Sequence, residues 1–103
     1  MAMTVTQQIS GDTAQIILKG RFDFSSHRDF RQGYEQSLHT PDIKVILVDL
    51  DGVEYIDSSA LGMLLLLREK ALQTGIEVQL VNCKGAVLQV LEVANFGRLF
   101  NIA

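Results

Sequence analysis

Alternating apolar and polar positions predict two β-strands at the start of the chain. Residues 3–9 form the first alternating stretch, and Gly11-Asp12 after it is typical of a hairpin turn. Residues 14–19 alternate again, and the segment from Gly20 to Asp23 is expected to end this second strand. Strands joined by so short a turn pair antiparallel, so the pattern predicts an opening antiparallel hairpin.

After the hairpin, stretches with helical periodicity alternate with short apolar stretches. In order, the prediction is a helix that Ser25 or Ser26 caps and that runs to about His39, a strand over 43–50, a helix from near Ser58 to near Gly75, a strand over 76–82, a helix over 85–94 and a short strand over 99–102. The strand over 43–50 contains Val45-Ile46-Leu47-Val48, which is apolar on both faces. Strands of this kind lie in the middle of a sheet, so we expect this one to be central.

The order of these elements predicts an α/β fold. Strands separated by single helices favour parallel pairing with right-handed crossovers. We therefore expect residues 1–103 to form one domain, with a mixed, mostly parallel sheet, an N-terminal antiparallel hairpin strand and about three helices. Because two of the strands keep one polar face, the helices are expected to cover mainly one face of the sheet.

Composition and charge narrow the classes of function. The net charge is -3 and no basic stripe is present, which argues against a nucleic-acid partner. The single cysteine, Cys83, cannot form an internal disulfide, and no zinc-type spacing of Cys and His occurs. Residues 1–8 lack a signal-peptide pattern, and the longest apolar run is far shorter than the roughly 20 residues that span a bilayer. We therefore expect a cytoplasmic protein without a membrane partner.

Motifs of common enzymes are absent from the sequence. It contains no G-x-S-x-G, no G-x-x-x-x-G-K-[ST] and no G-x-G-x-x-G, and both histidines lie on or beside the first predicted helix. We therefore expect a protein that is not an enzyme and that uses no cofactor or metal. Catalysis would require that a pocket lined by Asp23, Asp57 and Ser58 bind a substrate.

The most informative segment is Asp57-Ser58-Ser59, where an apolar strand pattern ends and a helix begins. One interpretation is that one of these residues caps the helix by accepting a hydrogen bond from a free backbone N–H. A second interpretation is a phosphorylation site, since free N–H groups and the helix dipole favour negative charge there. The two interpretations are compatible, and the sequence alone leaves both open.

The helix after this junction is apolar nearly all round in its first two turns. At helical spacing, its core stripe is predicted to be Ala60, Leu64, Leu67 and Ala71, with Gly62, Glu69 and Gln73 facing outward and Leu65 and Leu66 on the flanks of the outward face. Such a helix is either buried by neighbours or exposes an apolar surface to another protein. Gly62 has two interpretations: close approach of a partner backbone, or close packing inside the domain.

Two motifs resemble those of a known family. The segment Asp57-Ser58-Ser59-Ala60-Leu61-Gly62 resembles the D-S-S-[GA]-L-G signature of STAS domains, specifically of bacterial anti-sigma factor antagonists. The segment Gly20-Arg21-Phe22-Asp23 resembles the G-x-[LF]-D segment of that family. The resemblance covers nearly the whole chain, and it is closest to a proteobacterial subgroup linked to phosphatase-bearing response regulators.

This resemblance implies a partner-switching regulator. The partner would be an anti-sigma factor that is itself a serine kinase; it would bind the unphosphorylated form and phosphorylate Ser58, with Ser59 as a secondary candidate. A PP2C-type phosphatase, possibly within a response regulator, would restore the binding form. The surface expected to contact the partner comprises Asp23, Asp57, Ser58, Ser59, Gly62, Met63, Leu65 and Leu66.

The sequence departs from this family at two places. Ala60 stands where glycine is more usual, and the sequence ends at Ala103, where many relatives continue into a last helix. We therefore expect a stiffer phosphorylatable turn and the loss of the contacts made by that helix. A rival interpretation is a STAS docking subunit of a transporter ATPase complex, which would use the same helix without phosphorylation.

Overall fold

The computed structural model describes residues 3–103 and begins with the predicted hairpin. β1 (Thr4–Ser10) pairs antiparallel with β2 (Thr13–Phe22), and a two-residue turn joins them. β2 ends at Phe22, inside the segment from Gly20 to Asp23 that was expected to end it, but three residues later than the predicted end at Lys19. Gly20, at φ 102°, lies at a shift in register against the neighbouring strand, so the strand is locally irregular there but does not end.

The remaining elements follow the predicted order. They are α1 (His27–His39), β3 (Val45–Ile56), α2 (Ser58–Gln73), β4 (Glu77–Val81), α3 (Gly85–Val93) and β5 (Asn101–Ile102), with 3-10 turns at Phe24–Ser26 and Phe96–Arg98. The predicted end of β3 at Leu50 is wrong, because the strand runs on to Ile56 and stays paired with β2. The closing strand is shorter than predicted, because a 3-10 turn precedes it.

Within residues 3–103 the strands form one five-stranded sheet in the order β1-β2-β3-β4-β5. β2, β3, β4 and β5 are mutually parallel, and only β1 is antiparallel to its neighbour. The predicted mixed sheet with an antiparallel hairpin strand and three helices is therefore confirmed, as is the central position of β3.

The two faces of the sheet differ in burial. The side chains on one face are buried at 0–7% exposure: Ala14, Ile16, Ile46, Val48, Val78 and Leu80. Residues one step along each strand, Gln15, Leu47 and Gln79, keep part of their surface exposed. The buried face packs with the apolar side of α2, whose Ala60, Leu64, Leu67 and Ala71 are fully buried as predicted. This pattern agrees with helices that cover mainly one face.

Candidate functional site

The site is built where β2 and β3 end side by side. Phe22 and Ile56 are partners in the parallel register, and the Asp57 backbone N–H donates a hydrogen bond to the Phe22 carbonyl at 3.3 Å. Asp23 and Asp57 each follow directly after one of these strand ends. The structure thus brings the two motif aspartates to the same edge of the sheet, at the start of α2.

Asp57 is the residue that caps α2. Its backbone is extended, and one carboxylate oxygen, Oδ1, accepts the Ala60 backbone N–H at 3.0 Å. This bond satisfies one of the N–H groups that a helix leaves free at its first turn. Ala60 itself is fully buried, so the helix start is fixed both by a hydrogen bond and by packing.

Ser58 and Ser59 occupy the first two positions of α2 and are exposed. Within residues 3–103 neither hydroxyl forms a hydrogen bond to another protein group, since the capping is done by Asp57. The N–H groups of a first helical turn point outward with the positive end of the helix dipole, a favourable environment for an anion. Both hydroxyls are therefore accessible for modification without loss of the cap.

Asp23 organises the neighbouring 3-10 turn. Its Oδ1 accepts hydrogen bonds from the Ser25 backbone N–H at 3.0 Å and from the Ser25 hydroxyl at 2.6 Å, and the Asp23 N–H donates to Ser26 Oγ at 3.2 Å. Of the two predicted caps of the first helix, Ser25 and Ser26, the structure places Ser26 at the N-cap position, without a capping hydrogen bond from its side chain. Its hydroxyl donates instead to the Arg21 carbonyl at 2.9 Å, and no other side chain in residues 3–103 caps α1.

The charge on Asp23 is stabilised by its neighbours. The Ser25 hydroxyl is the main cause that holds the pKa of Asp23 below its ordinary value, against partial desolvation that raises it. The Ser25 N–H and the Arg21 guanidinium, 3.5 Å away, lower this pKa further. Arg21 also lies over the Tyr55 ring, 4.1 Å from its centroid. An ionised Asp23 thus holds the turn from which the Phe24 side chain projects into solvent with 74% exposure.

The outward face of α2 exposes apolar surface, as predicted. Leu65 and Leu66 are 37% and 39% exposed, and a Cβ built on Gly62 would meet no atom within 4 Å. The interpretation that Gly62 permits close packing inside the domain is therefore wrong. Met63 is also placed differently from the prediction, since it is 7% exposed and belongs to the core, so it offers a partner only its edge.

A surface depression of about 330 Å³ lies beside the two serines. It is lined by Phe24, His27, Ser59, Gly62, Met63 and Leu66. Asp23, Asp57 and Ser58 do not line it, so it does not match the substrate pocket that the enzyme hypothesis required. Phe24 and His27 were not among the residues predicted for this surface. A signal was present: Phe24 is out of phase with the four-residue spacing of Phe30, Tyr34 and Leu38 on α1.

Two further searches covered the described part of the chain. In residues 3–103, no group of three or more His, Cys, Asp or Glu side chains is placed to hold a metal ion. No helix in this range is long and apolar enough to cross a membrane.

Comparison with known proteins places the chain in a family. A family model described as "Mlab, STAS domain" matches residues 5–101. The chain belongs to the STAS-domain family. A STAS-domain containing protein of Pseudomonas aeruginosa (strain UCBPP-PA14) is 44% identical over 103 residues, which is 100% of both chains.

Solved structures share the STAS fold at low sequence identity. The anti-sigma factor antagonist SpoIIAA in its unphosphorylated form matches with a TM-score of 0.80 and 18% identity, over 97% of this chain and 88% of that one. The Bacillus cell fate determinant SpoIIAA in its phosphorylated form matches with a TM-score of 0.73 and 17% identity, over 97% and 91% of the two chains. At these identities the likeness shows the fold alone, and it agrees with the element order described above.

Proposed function

We propose that this STAS domain is an anti-sigma factor antagonist that works by partner switching. The unphosphorylated form binds an anti-sigma factor that is a serine kinase, and so releases the sigma factor. Phosphorylation of Ser58 abolishes this binding, and a PP2C-type phosphatase restores it, possibly as part of a response regulator. Ser59 is the secondary acceptor.

One observation carries the proposal: Ser58 is exposed and its hydroxyl forms no hydrogen bond to any group of residues 3–103, while the neighbouring Asp57 provides the cap. The Ser58 hydroxyl is therefore not required for the cap. The neighbouring apolar surface supports a protein partner, because Gly62, Leu65 and Leu66 face solvent. The structural neighbour SpoIIAA, whose fold this chain shares, is known in unphosphorylated and phosphorylated forms, which supports the same kind of switch here.

The proposed switch acts through charge. A phosphate on Ser58 adds about -1.5 to -2 charges at pH 7. The phosphate would lie next to the Asp57 carboxylate and at the edge of the apolar surface that the partner covers. Covering this phosphate with a partner removes water from its charge, which costs several kcal/mol and is sufficient to abolish binding of ordinary affinity.

The first test is to map the modification. The protein is purified with a phosphatase inhibitor from cells that contain its kinase, and its peptides are analysed by mass spectrometry beside a Ser58→Ala variant. We expect one phosphoryl group on Ser58, removed by a PP2C-type phosphatase. An unmodified Ser58 under conditions in which the kinase is active would reject the switch.

The second test concerns the charge. Affinity for the cognate anti-sigma factor is measured by calorimetry for the wild type, Ser58→Ala and Ser58→Asp. We expect Ser58→Ala to bind like the wild type and Ser58→Asp to bind at least about tenfold more weakly. Equal affinities of the two variants would contradict the charge mechanism.

A second candidate is a docking subunit of a transporter ATPase complex, without phosphorylation. The exposed apolar residues Gly62, Leu65 and Leu66 favour it, since they need no hydroxyl to form an interface. The two candidates differ in the partner and in the response to Ser58→Asp. Recovery of an ABC-type ATPase whose binding is insensitive to Ser58→Asp would favour the second.

A further inference from the structure

The apolar depression beside the serines adjoins a groove with basic side chains on α1. This groove has a volume of about 450 Å³ and is lined by His27, Arg28, Arg31, Gln32 and Glu35. His27 lines both the groove and the apolar depression, so the two adjoin at this residue. The residues predicted to contact the partner all lie outside α1.

The charge of the groove is opposite to that of the chain. The chain has a net charge of -3, yet the groove presents the exposed Arg28 and Arg31 against a single carboxylate. That carboxylate, Glu35, lies 3.9 Å from Arg31 Nε. Within residues 3–103, Arg28 forms no ion pair. The groove therefore retains an excess of positive charge that a partner can meet.

We infer that the partner segment that docks here is an acidic amphipathic peptide segment. An apolar side chain of this segment fills the depression between Phe24, Gly62 and Leu66. Carboxylates one turn farther along meet Arg28 and Arg31, which are three residues apart on α1 and hence neighbours on one face of the helix. The inference rests on the proposed function, because it specifies the chemistry of the partner at the same surface.

The inference also explains why a phosphate would act strongly at this position. Ser59 lines the apolar depression, and Ser58 immediately precedes it. A phosphate there meets a segment that is itself negatively charged, so the two repel each other. A neutral or basic segment would not be repelled, and a basic one would be attracted.

The test uses two synthetic helical peptides and the unphosphorylated 103-residue chain labelled with ¹⁵N. One peptide has a leucine followed by glutamates four and seven residues later, and the other has lysines in place of these glutamates. We expect the glutamate peptide to shift the amide signals of Phe24, His27, Gly62 and Leu66. We expect the lysine peptide to leave them unchanged, and added salt to weaken the glutamate peptide.

Substitutions test whether Arg28 and Arg31 provide the positive charge that the glutamate peptide contacts. We expect the double variant Arg28→Glu with Arg31→Glu to raise the Kd of the glutamate peptide about tenfold. The single variants Arg28→Glu and Arg31→Glu are compared with Lys44→Glu, which makes the same change of charge at an exposed residue before β3, at the opposite end of that strand from Ser58. The Kd of Lys44→Glu should stay that of the wild type. The dispersion of the amide spectrum shows whether each variant is folded.

Three outcomes would overturn the inference: binding of neither peptide, equal or tighter binding of the lysine peptide, or shifts that map to the uncovered face of the sheet. The experiment uses no kinase, so it is independent of Ser58 phosphorylation. If the glutamate peptide binds but Ser58 is never phosphorylated, the proposed switch is rejected and the inference about the docking surface stands.

Discussion

Replacing Gly62 by alanine is expected to make the protein more stable and its partner complex weaker. Gly62 lies inside α2, is exposed, and has nothing within 4 Å of the position that a Cβ would take. Glycine costs about 1 kcal/mol against alanine inside a helix, because it loses more backbone entropy on folding. With no steric penalty, Gly62→Ala is expected to raise the free energy of unfolding by about 0.5–1 kcal/mol.

The size of this effect can be measured in a domain of 103 residues. A change of 1 kcal/mol shifts the Tm of a small domain by about 4–8 °C. Urea unfolding is the second assay, and its m-value should stay constant, since the surface exposed on unfolding hardly changes. The same alanine adds a methyl group to the lining of the depression, so we expect weaker binding of the anti-sigma factor or of the glutamate peptide.

Gly33→Ala is the matched control for stability, and its effect should have the opposite sign. Gly33 is also inside a helix, α1, but an added Cβ would overlap Val5 Cγ1 and lie 3.3 Å from Val5 Cβ. Valine is stiff at χ1 and cannot easily move aside. Overpacking of this kind costs about 1–3 kcal/mol, more than the helix propensity returns.

Two results would refute the reasoning on Gly62. A loss of stability on Gly62→Ala would mean that the residue packs inside the domain after all. A gain in stability with unchanged partner affinity would mean that the partner does not cover this part of α2. Gly33→Ala tests the alternative that alanine stabilises any helix regardless of its surroundings, because in that case both variants would be more stable than the wild type.

Three further predictions concern single side chains. Asp57→Ala should lower the free energy of unfolding by about 0.5–2 kcal/mol, because it removes the capping hydrogen bond from the Ala60 N–H. A chemical-denaturation midpoint equal to that of Ser58→Ala would contradict this prediction. The pKa of Asp23 is lower in the folded than in the unfolded chain, so ionised Asp23 stabilises the fold above the unfolded pKa of about 3.9, and this stabilisation is lost as the pH falls through the folded pKa. Asp23→Asn should therefore lose less stability than the wild type on acidification, and identical acid titrations of the two proteins would contradict the prediction. Burial and the Asp49 carboxylate raise the pKa of the Cys83 thiol to about 11. Iodoacetamide should therefore modify Cys83 slowly in the folded protein at neutral pH and much faster in urea, and equal rates measured by mass spectrometry would contradict this prediction.

The sequence predicted the order of elements because burial imposes its own period on each one. β3 shows this most clearly, since a strand that is apolar on both faces has to lie in the middle of a sheet. The ends of β2 and β3 were not predictable in the same way. Glycines and charged residues around Gly20 and Gly52 look like loops, but register shifts between the two strands accommodate them. Such a shift depends on the partner strand, which a local pattern does not contain.

The same difference between local and long-range interactions explains which parts of the candidate site were predicted. The junction at Asp57 and Ser58 was visible because capping and helix start are local events within a few residues. Phe24 and His27 were missed because their place beside α2 depends on β2 and β3 ending together. The burial of Met63 was also misjudged, since its neighbours on α2 are apolar on both flanks and only the packing distinguishes them.

The separation of cap and acceptor has a consequence for the proposed switch. The Asp57 carboxylate uses the N–H of Ala60, the third residue of α2, and does not engage the hydroxyl of Ser58. A phosphate on Ser58 therefore does not compete for the capping bond, and the N–H groups before Ala60 are free to stabilise its charge. Both forms of the domain should then share one fold and differ mainly in surface charge. A partner that reads this difference has to sense charge at the start of α2, which is why an acidic segment docked along α1 and α2 suits the switch better than a purely apolar one.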